Sequence, residues 1–150
     1  SGIDIVREQV RIAAGERLSV TGRAPRQGHA IEVRINAEDA TRDFAPAPGT
    51  VSRFRPPLGP GVRVDTGIVE GLAIPPYYDS LVAKVIVWDE TRRAAIDRMT
   101  RALRELEVDG IATTREVALD VLASPEFSSG DYSTSTLASL AGRIPSLQAS

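Results

Sequence analysis

The chain has 150 residues, 42% hydrophobic and 25% charged, with a formal charge of −2. That balance fits one globular domain with a real core and gives no reason to expect nucleic acid or an anionic membrane as a partner. The lack of cysteine excludes disulfide frameworks, thiolate catalysis and cysteine zinc sites, and is compatible with a cytoplasmic location.

The N-terminal residues are charged from Asp4 onward and form no signal peptide. No apolar run is long enough to span a membrane. Ile3, Val6, Val10 and Ala13 recur at helical spacing before Gly15, which predicts an amphipathic helix over 3–14. The chain starts inside this pattern and so reads as a piece of a longer protein. Residues 15–28 read as a polar connector with a short strand at 18–20. From His29 the period becomes two. Ile31, Val33 and Ile35 alternate with Glu32, Arg34 and Asn36, as in a half-buried strand. Residues 40–49 form a loop, 51–54 a short strand and 56–61 a turn cluster rich in Pro and Gly. Strands are expected at 62–65 and 68–74. Residues 81–88, apolar apart from Lys84, suit a central strand covered on both faces.

Residues 90–107 predict a helix with Ala95, Ile96, Met99, Leu103 and Leu106 on one stripe and Asp89 as its cap. Arg92, Arg93, Arg98, Arg101 and Arg104 then occupy a solvated exterior with Asp97 and Glu105. Gly110 ends the next connection. Thr113 to Glu116 matches a capping box for a further helix, which Pro125 stops. The Ser/Thr/Ala/Gly-rich end, residues 139–150 above all, reads as a flexible linker. No internal repeat is visible. Strands followed by helices argue an α+β fold: an antiparallel, barrel-sandwich-like sheet of short strands, then two packed helices.

Chemistry-bearing motifs are few. There is no phosphate-binding glycine loop, no nucleophile–base pair and no metal-ligand cluster. Gly59-Pro60-Gly61 is a turn, and His29 a surface or strand-entry residue. Glu38 and Asp39 suit a turn or helix start, because neighbours on an extended chain diverge. Asp79 caps, pairs with an arginine or acts chemically. Lys84 needs a wet strand end or a partner. The strongest signal is Glu32-Val33-Arg34-Ile35-Asn36. Period two puts Glu32, Arg34 and Asn36 on one face, where the flanking side chains can orient a guanidinium to bind a carboxylate-like anion. The same pattern also suits a solvated sheet face with a weak surface pair.

Several segments resemble biotin carboxylases: residues 2–9 with 12–15, the block 28–39 (GHAIEVRINAED), Gly61 to Asp65, Tyr77 to Lys84 and Gly110 to Thr113. The resemblance covers about residues 2–138 in order. It implies that 1–27 are the last helix and connector of an ATP-grasp region and 28–138 the C-terminal domain of the carboxylase. It implies carboxylation of carrier-bound biotin with ATP, bicarbonate and magnesium. The gripping glycines, lysines and magnesium-binding acids would lie upstream of this chain, so the fragment alone would be inactive and bind no cofactor tightly. Arg34 matches the family's active-site arginine, with Glu32 and Asn36 supporting it. Arg63 and Asp79 match positions of subunit contact, although Pro60 replaces a larger residue there. Implied partners are the rest of the carboxylase chain, a biotin carboxyl carrier domain, a carboxyltransferase subunit and a second copy. The lone methionine, Met99, lies between Arg98 and Thr100, so no biotin-acceptor motif is present. A scaffold or dimerisation module of another ATP-grasp ligase is the competing reading.

Overall fold

The computed structural model describes residues 1–148. Helix α1 (Ile5–Ala13) starts at its own cap: the Asp4 side chain accepts from the Arg7 N–H at 3.0 Å. The helix therefore begins two residues later than the apolar spacing suggests. Its apolar stripe is open, with Ile5, Val6 and Val10 exposed, while Glu8 is buried. The Glu8 carboxylate accepts from the Ser19 N–H at 2.9 Å and the Ser19 hydroxyl at 2.6 Å. Those bonds take up Ser19, and no strand forms at 18–20.

Among the described residues, nine strands follow the connector. They are β1 (His29–Asn36), β2 (Glu38–Asp39), β3 (Ala45–Pro46), β4 (Gly49–Thr50), β5 (Arg53–Arg55), β6 (Val62–Thr66), β7 (Ala73–Ile74), β8 (Leu81–Asp89) and β9 (Glu107–Asp109). Helix α2 (Arg92–Glu105) lies between β8 and β9, and α3 (Arg115–Ala123), α4 (Pro125–Ser129) and α5 (Thr136–Leu140) come last. The fold is α+β. All strand pairs are antiparallel, and the strands gather into one three-stranded sheet, β1–β8–β6, with ribbons β2–β3, β4–β7 and β5–β9. The strand expected at 68–74 shrinks to Ala73–Ile74, because the Ile68 N–H is already taken by the Thr66 hydroxyl at 3.0 Å. Gly28 opens β1 at φ +65°, where a Cβ would collide with the Asp89 carbonyl.

The core lies between one face of the sheet and α2. Ile31 and Ile35 of β1 and Ala83, Val85 and Val87 of β8 pack with Ala95, Ile96, Met99, Ala102 and Leu103 of α2. β8 is central by position, but α2 covers only one of its faces. On the other, Lys84 and Ile86 are half-buried and Trp88 is exposed, so the expectation of two covered faces does not hold for this chain.

Three further expectations change. Thr91, not Asp89, caps α2. Asp89 instead accepts from Arg98 Nη2 at 2.6 Å and Nε at 2.9 Å, which holds its carboxyl below the usual aspartate range. The arginines of α2 are not all solvated: Arg98 also donates to the Pro60 carbonyl, and Arg92 lies 4.9 Å and 5.6 Å from the Phe127 and Tyr132 ring centres. Residues 139–148 are packed rather than extended. Leu140 and Ile144 are buried against Val117, and Ser146 N–H donates to Asp120 at 3.0 Å. Residues 149–150 of the expected linker lie outside the described residues.

Candidate functional site

The open face of the three-stranded sheet carries the charged residues. Strand register places Arg34 of β1 opposite Lys84 of β8, and Lys84 opposite Asp65 of β6. The next row is Glu32, Ile86 and Arg63. The alternation predicted for β1 is present: Ile31 and Ile35 are buried, while Glu32 and Arg34 are exposed. His29 stands exposed at the strand entry.

Arg34 Nη2 donates to Asp79 Oδ2 at 3.1 Å. The other carboxylate oxygen of Asp79 accepts the Leu81 N–H at 3.0 Å, so Asp79 both pairs and caps the start of β8. Asp79 is thus the carboxylate that meets Arg34. Asn36 turns instead to Glu38, donating from Nδ2 at 3.1 Å, and Glu38 also accepts from the Ser80 hydroxyl at 2.5 Å. Glu32 forms no ion pair among the described residues. A loop residue 45 positions away does what the strand neighbours were expected to do, because β-bonding fixes their backbones but the Ser80–Glu38 bond brings the 75–80 loop over the strand end.

Arg63 grips Asp65 bidentately on its own strand, with Nε to Oδ1 at 2.7 Å and Nη2 to Oδ2 at 2.8 Å. Those hydrogen bonds hold Asp65 below the usual aspartate range, and the Lys84 charge adds in the same direction. Asp39 is lowered by the Thr41 hydroxyl and caps the short 3-10 turn Ala40–Arg42, the turn role expected of it. Lys84 sits in mid-strand, half-buried, with Arg34 and Asp65 on either side. Sequence placed Lys84 in the strand but could not show its neighbours, since register depends on pairing between distant segments.

The arrangement can hold a small anion. Arg34 presents a planar fork and Lys84 a second cation one strand away. Among the described residues no group of His, Asp and Glu could hold a metal, and no helix is long and apolar enough to cross a membrane. Thr66, which bonds the backbone around this site, carried no signal in the sequence, and Thr114 stood there only as part of a capping box.

Comparison with known proteins gives one result in three ways. The sequence model for the biotin carboxylase C-terminal domain matches residues 32–139. A biotin carboxylase of Nostoc sp. is 51% identical over 136 residues, 90% of this chain and 30% of that protein. A biotin-dependent acyl-coenzyme A carboxylase alpha3 subunit of Mycobacterium leprae is 49% identical over 125 residues, covering 83% of this chain and 21% of that one. The biotin carboxylase domain dimer of Hydrogenobacter thermophilus 2-oxoglutarate carboxylase, solved with MgADP, ADP and bicarbonate, superposes with a TM-score of 0.89 at 42% identity over 93% of this chain and 31% of that one. The chain spans about a third of the length of the first of these relatives.

Proposed function

The chain belongs to the biotin carboxylase C-terminal domain family, and from that premise we propose that it is the C-terminal part of an ATP-dependent biotin carboxylase whose active site it completes with Arg34. The observation that carries this is the guanidinium of Arg34. It stands in mid-strand, half open on a polar face, and Asp79, its ion-pair partner among the described residues, is itself exposed. A 42% identical relative was solved with bicarbonate bound to its biotin carboxylase domain, which supports bicarbonate as a ligand of the whole domain.

In this reading ATP activates bicarbonate and biotin accepts the carboxyl group at a ring nitrogen, with the magnesium held by residues outside this chain. Arg34 binds the bicarbonate and then stabilises the negative charge that develops on the biotin ureido oxygen. Glu32 adds a carboxylate to the same face, and Asn36 braces Glu38 and through it the Asp79 loop. Lys84, opposite both Arg34 and Asp65, offsets part of the negative charge of Glu32, Asp65 and Asp79 on that face. The fragment alone holds no phosphate loop, so ATP turnover belongs to the whole subunit. That subunit would be cytoplasmic and would work with a biotin carboxyl carrier domain and a carboxyltransferase. Arg63 and Asp79 are the proposed contacts of a homodimer; their side chains are 74% and 66% exposed.

In the full-length subunit, Arg34→Ala should slow biotin-dependent ATP hydrolysis by about two to three orders of magnitude, the scale for loss of one transition-state donor. The thermal melt should not move. Activity near that of the parent enzyme would remove Arg34 from the chemistry and leave the scaffold reading.

A further inference from the structure

Strands β1 and β8 fall out of step beside Arg34. Arg34 pairs with Lys84 and Ile35 with Ala83, but Asn36 pairs with Leu81, so Val82 is an extra residue on β8. A bulge of this kind leaves backbone polar groups without ladder partners, and buried ones must find others. A threonine hydroxyl from outside the pair meets one of them, and a second meets the outer edge of β1, which borders no other strand of the sheet. Thr66 of β6 donates to the carbonyl of Val82, a residue 1% exposed, at 2.7 Å. On the other strand, the Thr114 hydroxyl accepts from the Asn36 N–H at 3.1 Å and donates to the Arg34 carbonyl at 3.3 Å. The Thr114 N–H donates to the Asn36 carbonyl at 3.1 Å.

Thr114 is the N-cap residue of α3 yet makes no side-chain bond to its own helix. An N-cap threonine ordinarily accepts from an N–H in the first helical turn. Here the hydroxyl is diverted to the strand that carries Arg34, and it bridges the two peptide groups on either side of Ile35. A local rule broken in this way marks a place where another demand wins. Gly110 makes the approach possible: at φ +95° it turns the chain from β9 toward α3, where a Cβ would strike the Thr50 carbonyl.

We propose that Thr114 is a positioning residue for Arg34, setting the direction from which the guanidinium enters the site. The inference rests on the role of Arg34 given above. It also accounts for the outer edge of β1. That strand borders only β8 in the sheet, so the ladder ties one edge of it, and Thr114 ties the other at Arg34 and Asn36.

The test uses the full-length subunit with Thr114→Val, Thr114→Ala, Thr114→Ser, Arg34→Ala and the Arg34→Ala/Thr114→Ala pair. The readouts are kcat and KM in biotin-dependent ATP hydrolysis and the melting temperature. Because the hydroxyl makes no helix bond, its loss takes no cap from α3, and Thr114→Ala remains readable if the added valine methyl distorts the site. Both hydroxyl-free variants should lose about tenfold in kcat, since a displacement near 1 Å can cost up to about 100-fold. KM for ATP should stay constant, and Thr114→Ser should recover most of the rate. In the Arg34→Ala background, loss of the hydroxyl should slow the enzyme no further. Parent-level kcat in Thr114→Ala, or an equal tenfold loss on top of Arg34→Ala, overturns the proposal while leaving Arg34 in place. Parent-level activity in Arg34→Ala itself overturns both readings together.

Discussion

Arg34 and Asp79 meet at 3.1 Å across 45 residues of chain, and 49% of one side chain and 66% of the other remain open to solvent. An exposed pair of this kind contributes about 0–1 kcal/mol. The pair therefore orients the guanidinium without consuming it, and an incoming anion can take the place of Asp79 at small cost.

Asp79→Ala in the full-length subunit should accordingly lower KM for bicarbonate by about twofold to fivefold, the scale of one weak surface pair. A higher KM would show that Asp79 helps to bind substrate and does not compete with it. Arg34→Lys keeps the charge and loses the planar fork. Its kcat should stay close to that of Arg34→Ala, and a rate near the parent's would reduce the role of Arg34 to charge alone.

Arg63 holds Asp65 on its own strand and leaves most of its side chain exposed. Arg63→Glu would set two carboxylates side by side on β6 at the open edge of the sheet. The monomer fraction of the full subunit should rise in analytical ultracentrifugation. An unchanged mass distribution would place any dimer contact elsewhere.

The Asp89–Arg98 pair ties the end of β8 to α2, with side chains 18% and 26% exposed. Arg98 lowers the Asp89 pKa in the folded state. The stabilisation is therefore present above the ordinary aspartate range and is lost as pH falls through the lowered native value. Arg98→Ala should reduce the melting temperature at neutral pH, and the gap to the parent should narrow in acid. It should not close fully, because the Pro60 bond is also lost. A gap independent of pH would mean that Asp89 contributes nothing electrostatic.

The isolated 150-residue chain should unfold cooperatively and hydrolyse no ATP with or without free biotin. Leu103 is fully buried between α2 and the sheet, so Leu103→Ala should cost about 2–5 kcal/mol in denaturant unfolding. A smaller loss would show that the neighbouring side chains collapse into the space.

Local periodicity made part of this legible. The alternation around Arg34 and the α2 stripe from Ala95 to Leu103 follow from spacing alone, and burial agrees with both. What spacing cannot carry is which distant segment lies opposite. Lys84 beside Arg34 depends on register, and Asp79 on Arg34 depends on a loop held by Glu38. Thr114 lay inside a capping box whose cap would be Thr113; the cap falls on Thr114 instead, and only the edge of β1 shows where its hydroxyl goes. Leu140 and Ile144 were hidden by their small, polar neighbours, which suggested a tether.

Those two residues bear on where the polypeptide can be trimmed. The family match stops at residue 139, one position short of Leu140, which is 2% exposed. Shortening the chain at that limit would strip the cover from Val117 and remove the Arg143–Glu126 and Ser146–Asp120 anchors. The outline drawn by the family model is thus narrower than the packed unit, and a shortened version that keeps the structure intact must extend at least to Leu147.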